Sequence, residues 1–202
     1  MLGAALAGAA VLAAVPALAH HPMGGATPRT LTEGLLSGLA HPVIGPDHLA
    51  FVIGIGILSA SARHGWALPA IFLVAGALGT ALHLGGAGVP GSEWLVAGSV
   101  VLMGAAIWLY GRLSAAPTAG LCAVGGILHG YALAESIVGA EPSPLGAYLI
   151  GLAAIQLTLA LVVREATRRF VAFRPALASK AAMAASVAVA LVGIAVLPVW
   201  PA

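Results

Sequence analysis

The octapeptide His41-Pro42-Val43-Ile44-Gly45-Pro46-Asp47-His48 gathers two imidazoles, the chain's only aspartate and two prolines. A second segment, His129-Gly130-Tyr131-Ala132-Leu133-Ala134-Glu135, adds an imidazole and a carboxylate, and His83 stands apart from both. Neutral imidazole is a ligand for nickel, cobalt, copper and zinc, and a carboxylate adds neutralising charge. These histidines and carboxylates are what a path for a divalent metal ion would offer. Other chemistries have less to build on. The single cysteine, Cys122, excludes a disulfide framework and a thiolate-only metal cluster. No GxxxxGK[ST] loop is present to bind a nucleotide, so any energy input must come from an ion gradient or a partner.

The elements that must position these groups belong to a membrane. Of 202 residues, 61% are hydrophobic and 7% are charged, against about 25% charged in a soluble domain. Mean hydropathy is +1.07. Eight Lys and Arg with six Asp and Glu cannot cover a water-facing surface of this length. That balance excludes soluble enzymes, disordered chains and nucleic-acid partners. The chain is expected to be all-α and polytopic, with the lipid bilayer as its surroundings.

Residues 1–19 form an apolar run ending Ala17-Leu18-Ala19, the small-x-small pattern of a signal-peptidase site. Cleavage there would make residues 20–202 a single transmembrane domain beginning His20-His21-Pro22. Six later stretches approach the roughly 20 apolar residues that a span needs: about 34–60, 66–84, 94–110, 118–138, 145–163 and 181–199. With the mature amino terminus outside, seven of the eight cations fall on cytoplasmic joins: Arg63, Arg112, Arg164, Arg168, Arg169, Arg174 and Lys180. Only Arg29 remains outside, and this asymmetry is the one that sets membrane orientation. It predicts a membrane protein whose mature amino terminus lies outside the cytoplasm, which is the periplasmic side if the membrane is a bacterial inner one.

Ionisable groups inside hydrocarbon cost several kcal/mol, which makes each a functional candidate. At about 1.5 Å rise per residue, Glu135 lies about 5 Å below the outer end of its span, His41 about 10 Å and His129 about 14 Å. Asp47 and His48 come at about 20 Å, and His83 is near the outer rim. The order is a ladder open to the outside. His41 and His48 share a helical face, whereas Asp47 points about 100° from His48, and Glu135 does not share the His129 face without a local irregularity. Pro42 and Pro46 predict a break in the first span, because Pro46 removes a backbone donor and frees carbonyls that could act as further ligands. Gly34-x-x-x-Gly38 and Gly126-x-x-x-Gly130 read as helix-packing motifs, Gln156 as an interhelical hydrogen bond, and Cys122 as packing.

HPVIGPDH at 41–48 fits the pattern HPxxGxDH in every fixed place, and HGYALAE at 129–135 is similar to a His-Gly-x-Ala…Glu motif. On these residues the whole chain resembles the HupE/UreJ family of small nickel/cobalt permeases. Leu133 and Ala134 depart from that family, which often has an aromatic residue or histidine and then glycine. The resemblance implies secondary import of Ni²⁺ or Co²⁺ as substrate, with no permanently bound cofactor. His41, Asp47, His48 and His129 would be ligands, with Glu135 drawing the ion in at the mouth. His83, His20 and His21 would be secondary metal contacts. Metalloenzyme maturation proteins are the partners it suggests, because such metal serves hydrogenase, urease or cobalamin enzymes. Two rivals use the same residues: a non-transporting metal sensor or accessory subunit, and an intramembrane metal-dependent hydrolase.

Overall fold

The computed structural model describes residues 26–62 and 65–198. The expected leader at 1–19, His20, His21 and Arg63 lie outside that range. The described chain is helical, in the order α1 Leu31–Ile44, α2 Pro46–Ser61, α3 Ala67–Leu84, α4 Ser92–Trp108, α5 Ala115–Leu133, a 3-10 turn Ala134–Ile137, α6 Pro142–Phe173, a 3-10 turn Pro175–Leu177, and α7 Ala178–Ala195. Among the described residues no strand occurs.

Local chemistry sets the boundaries that matter. Thr30 caps α1 through its hydroxyl on the Glu33 N–H, while the Glu33 carboxylate accepts from the N–H of Thr30 in a capping box. The chain then turns at Gly45, and Pro46 opens α2 at a position where no backbone donor is needed. The two helices meet at 78°. The break expected near Pro42 and Pro46 therefore falls at Gly45, while Pro42 stays within α1. The carbonyl that would have bonded to residue 46 is that of Pro42, and Pro46 has no N–H to give it.

Four helices are long and apolar enough to cross a bilayer, or five when α1 and α2 count as one broken span. Helix α4 is apolar but has 17 residues, about 26 Å at the α-helical rise. The sixth candidate span is thus slightly short of a full hydrocarbon crossing. Another difference lies at α6. The expected span ended near residue 163 and a join followed, yet the helix runs 32 residues to Phe173. Arg, Ala and Glu are strong helix formers, and Glu165 pairs with Arg169 one turn on at 2.8 Å.

Three helix pairs make the most extensive contacts: α3 with α5, α1 with α6, and α4 with α7. Each is sealed by glycine, as bilayer helices that pack by close backbone approach require. Added methyls would meet Pro144 and Tyr148 backbone at Gly34 and Gly38, and Phe72 and Gly76 backbone at Gly126 and Gly130. Both small-residue motifs are therefore packing seams. Helix α2 lies among the pairs and touches α3 to α7. It buries Ala50, Phe51, Val52, Ile55 and Leu58, as a helix apolar on all sides should. Outward, large aliphatics such as Val74 (74% exposed) and Ile150 (68%) face the surroundings, the arrangement of a multi-pass membrane protein.

Gly130→Ala should destabilise the fold by about 1–3 kcal/mol, the usual cost of overpacking. Gly120, on the same helix, has no heavy atom within 4 Å of an added methyl, so Gly120→Ala should be tolerated. Thermal unfolding in detergent checks both, and equal midpoints for the two variants would contradict the seam.

Candidate metal centre

The bend at Gly45 does two things at once. It ends α1 one turn after His41, and it starts α2 inside the bundle, with Asp47 and His48 in its first turn. A helix amino terminus carries roughly half a positive charge, which would repel a cation. Asp47 at this position cancels it. Its Oδ1 also accepts from the His48 backbone N–H at 2.8 Å, which fixes the carboxylate beside the turn.

His129 arrives from α5 and is fully buried. Its Nδ1 lies 2.7 Å from His48 Nδ1, and the ring centroids are 4.9 Å apart. The His41 ring meets His48 edge-on, with centroids 5.9 Å apart. The sequence ladder is therefore a real juxtaposition for its three central histidines. Phe51, one turn beyond His48, lies 4.4 Å from the His129 ring centroid, and Phe72 lies 6.2 Å away. A methyl on Gly125, one turn before His129, would run into the Phe51 ring. That glycine makes room for the aromatic wall on this side of the site.

The hydroxyls that hold these rings were not singled out from the sequence. Ser99 on α4 lies 3.0 Å from His129 Nε2 and 2.7 Å from the Val96 carbonyl. Its one proton goes to the carbonyl, which cannot donate, so Ser99 accepts from His129 Nε2–H. Counting protons in this way places the lone pair of neutral His129 on Nδ1, toward His48, whose own Nδ1–H then donates. Ser136 Oγ stands 3.0 Å from His41 Nδ1, and Tyr148 Oη stands 3.2 Å from it. Tyr148 also donates to the Leu133 carbonyl at 2.7 Å. Such outer contacts fix ring orientation, as they do for metal-binding histidines generally.

Glu135 does not join this group. The chain changes from α to 3-10 geometry after Leu133, and the new phase turns Ser136 inward while Glu135 is exposed. An irregularity occurs where Glu135 needed one, but it delivers its neighbour. His83 sits apart, 4.4 Å from the Tyr131 ring, with a buried Nδ1 that has no hydrogen-bond partner. Tyr131 ties down the loop after α3, donating to the Ala87 carbonyl and accepting from the Val89 N–H. Among the described residues Gln156 makes no interhelical bond of the kind expected; it lines a cavity between α3 and α6 with Thr80 and Leu152. Cys122 is buried in the apolar core, as expected. Among the described residues, no three His, Cys, Asp or Glu side chains are gathered as one metal ion would need.

An α-helical membrane protein with a buried, hydroxyl-braced histidine pair at a broken helix is the class that these features define. A family model described as HupE / UreJ protein matches residues 8–196. The chain belongs to the HupE/UreJ family. Protein HupE of Rhizobium leguminosarum bv. viciae is 29% identical over 123 residues, covering 58% of this chain and 60% of that protein. No solved structure matches.

Proposed function

We propose that the chain is a secondary transporter that imports Ni²⁺ or Co²⁺ across the bacterial inner membrane through the His41, His48, His129 and Asp47 path. The observation that carries this reading is the His48–His129 contact beside Asp47. Two imidazole nitrogens on one ion stand about 2.9–3.4 Å apart for bonds of about 2.0–2.1 Å. The 2.7 Å pair is closer than that by a few tenths of an ångström. Small ring movements, with the His48 proton shifted from Nδ1, would admit an ion, and return of the hydrogen bond would expel it. A site with no third ligand already in place suits an ion in transit better than one held permanently.

Charge supports the direction. Glu33, Glu93, Glu135 and Glu141 begin or flank elements at one end of the bundle, where Thr27 bonds to Val138. Arg112, Arg164, Arg168, Arg169, Arg174 and Lys180 cluster toward the other. In this reading six spans follow a cleaved leader, α1–α2 and α4 each counting as one. The acidic end faces the periplasm, and Glu135 draws the ion toward His41. Counterflow of radioactive nickel and cobalt in proteoliposomes tests the proposal. Exchange that depends on metal loaded inside the vesicles supports it. Sealed vesicles without exchange would favour the sensor or accessory reading, and stoichiometric metal surviving chelator washes would favour a hydrolase.

Two further outcomes follow. Ser99→Ala should weaken metal binding by about 10–100-fold, as loss of an outer-shell partner does, and Ser99→Thr should restore much of it. Nitrogen-15 NMR of His129 would show a mixed tautomer in the alanine variant and Nε2–H in the parent; an unchanged tautomer would remove Ser99 from this role. At the mature terminus, His20 would offer an α-amine and a ring nitrogen, and His21 a second imidazole, while Pro22 has no amide to close the chelate. Replacing both histidines by alanine should raise the half-saturating metal concentration and leave the maximal rate unchanged. A fall in maximal rate alone would contradict capture at that end.

A further inference from the structure

At the cation-rich end of the bundle, α2, α6 and α7 enclose an apolar crevice of about 270 Å³. Ile57, Tyr110 and Phe170 line it, and α7 contributes Ala178, Ala182 and Ala185 from one face. Methyl side chains at these positions leave a slot where larger residues would have closed the contact. Arg164 lies one turn before Thr167, another lining residue, on the same face of α6. Its Nε is buried and has no hydrogen-bond partner. Arg168, Arg174 and Lys180 are exposed near this end, whereas Arg169 is engaged by Glu165. Trp66, Trp108 and Phe173 are exposed here too, at 64%, 57% and 81%. Exposed aromatic residues grouped beside cations mark the level where a bilayer's hydrocarbon meets its headgroups.

We infer that this crevice binds one anionic glycerophospholipid, with an acyl chain in the alanine-lined slot and its phosphate at Arg164. Both halves of the ligand are required. A soluble phosphate ester would leave the slot unfilled. A lipid whose headgroup carries no net negative charge would offset the local excess of positive charge poorly. Basic pockets between transmembrane helices bind anionic headgroups for these reasons. The planar guanidinium adds paired donors that match phosphate oxygens. The inference rests on the membrane character of the fold and not on the identity of the transported ion.

Native mass spectrometry of the full chain released from detergent micelles tests it, with phosphatidylglycerol, phosphatidylethanolamine and glycerol 3-phosphate as separate probes. The expected result is one phosphatidylglycerol retained per chain, at least about tenfold tighter than phosphatidylethanolamine, with no retained glycerol 3-phosphate. Arg164→Gln should bring the two lipids to near parity, and Ala182→Leu should remove the adduct by filling the slot. Circular dichroism confirms that each variant is folded, and the alanine-face variant keeps the test open if Arg164→Gln does not fold. Equal retention of both lipids by the parent would overturn the inference. So would phosphatidylglycerol binding unchanged in Ala182→Leu, or a dimer of the chain that occupies this face and excludes lipid.

Discussion

Replacing His129 by alanine is expected to reduce metal uptake by more than about 100-fold at equal protein level in the membrane. Loss of an outer-shell partner alone costs about 10–100-fold in affinity, and His129 would be a ligand itself. It also anchors the centre, because His48, Ser99, Phe51 and Phe72 all converge on its ring. The change leaves a cavity that will lower stability, so a size-matched control is needed. His129→Gln fills more of the volume but supplies an amide in place of an imidazole, and should be nearly as inactive. Uptake within about threefold of the parent for either variant would remove His129 from the path.

The second large effect is expected for Asp47→Asn, and here the geometry isolates charge from structure. An asparagine oxygen can still accept from the His48 N–H, the 2.8 Å bond the aspartate makes. What disappears is the negative charge that offsets the amino terminus of α2 in the bundle interior. Uptake should fall to background while the thermal midpoint stays within a few degrees of the parent. Normal accumulation would show that the helix dipole needs no compensation and that Asp47 has no part in transport. A large loss of stability with proportionate loss of uptake would make its role structural.

Several parts of this arrangement could be read from the chain because one residue type dictates them locally. Pro46 has no N–H and crowds the carbonyl four residues back, which favours a break near it, but Pro42 lacks an N–H as well and stays within α1, so the position of the break at Gly45 is not encoded by proline alone. Paired glycines at helical spacing identified two of the seams. The helix through Arg164 to Phe173 was also available from propensity, but a run of charge following an apolar stretch reads as a join when span length is the guide. The histidine pair itself depends on where α5 sits against α2, which no local pattern encodes. Ser99, Ser136 and Tyr148 were harder still. A hydroxyl in an apolar span usually bonds back to its own helix, as Ser99 also does with Val96, and nothing in sequence separates that habit from a second bond to a histidine. Glu135 shows the opposite case. Its type and motif single it out, while a change of helical phase gives the inward position to Ser136.

The central claim is that His48 and His129 hold the same divalent ion during transit. Nickel-edge X-ray absorption on protein with His20 and His21 replaced by alanine, saturated with Ni²⁺ and stripped of weakly bound metal, tests it most directly. Two imidazoles at about 2.0–2.1 Å are predicted, with one of them lost in His129→Ala. A spectrum of oxygen ligands only, or one unchanged by the His129 substitution, would contradict the account.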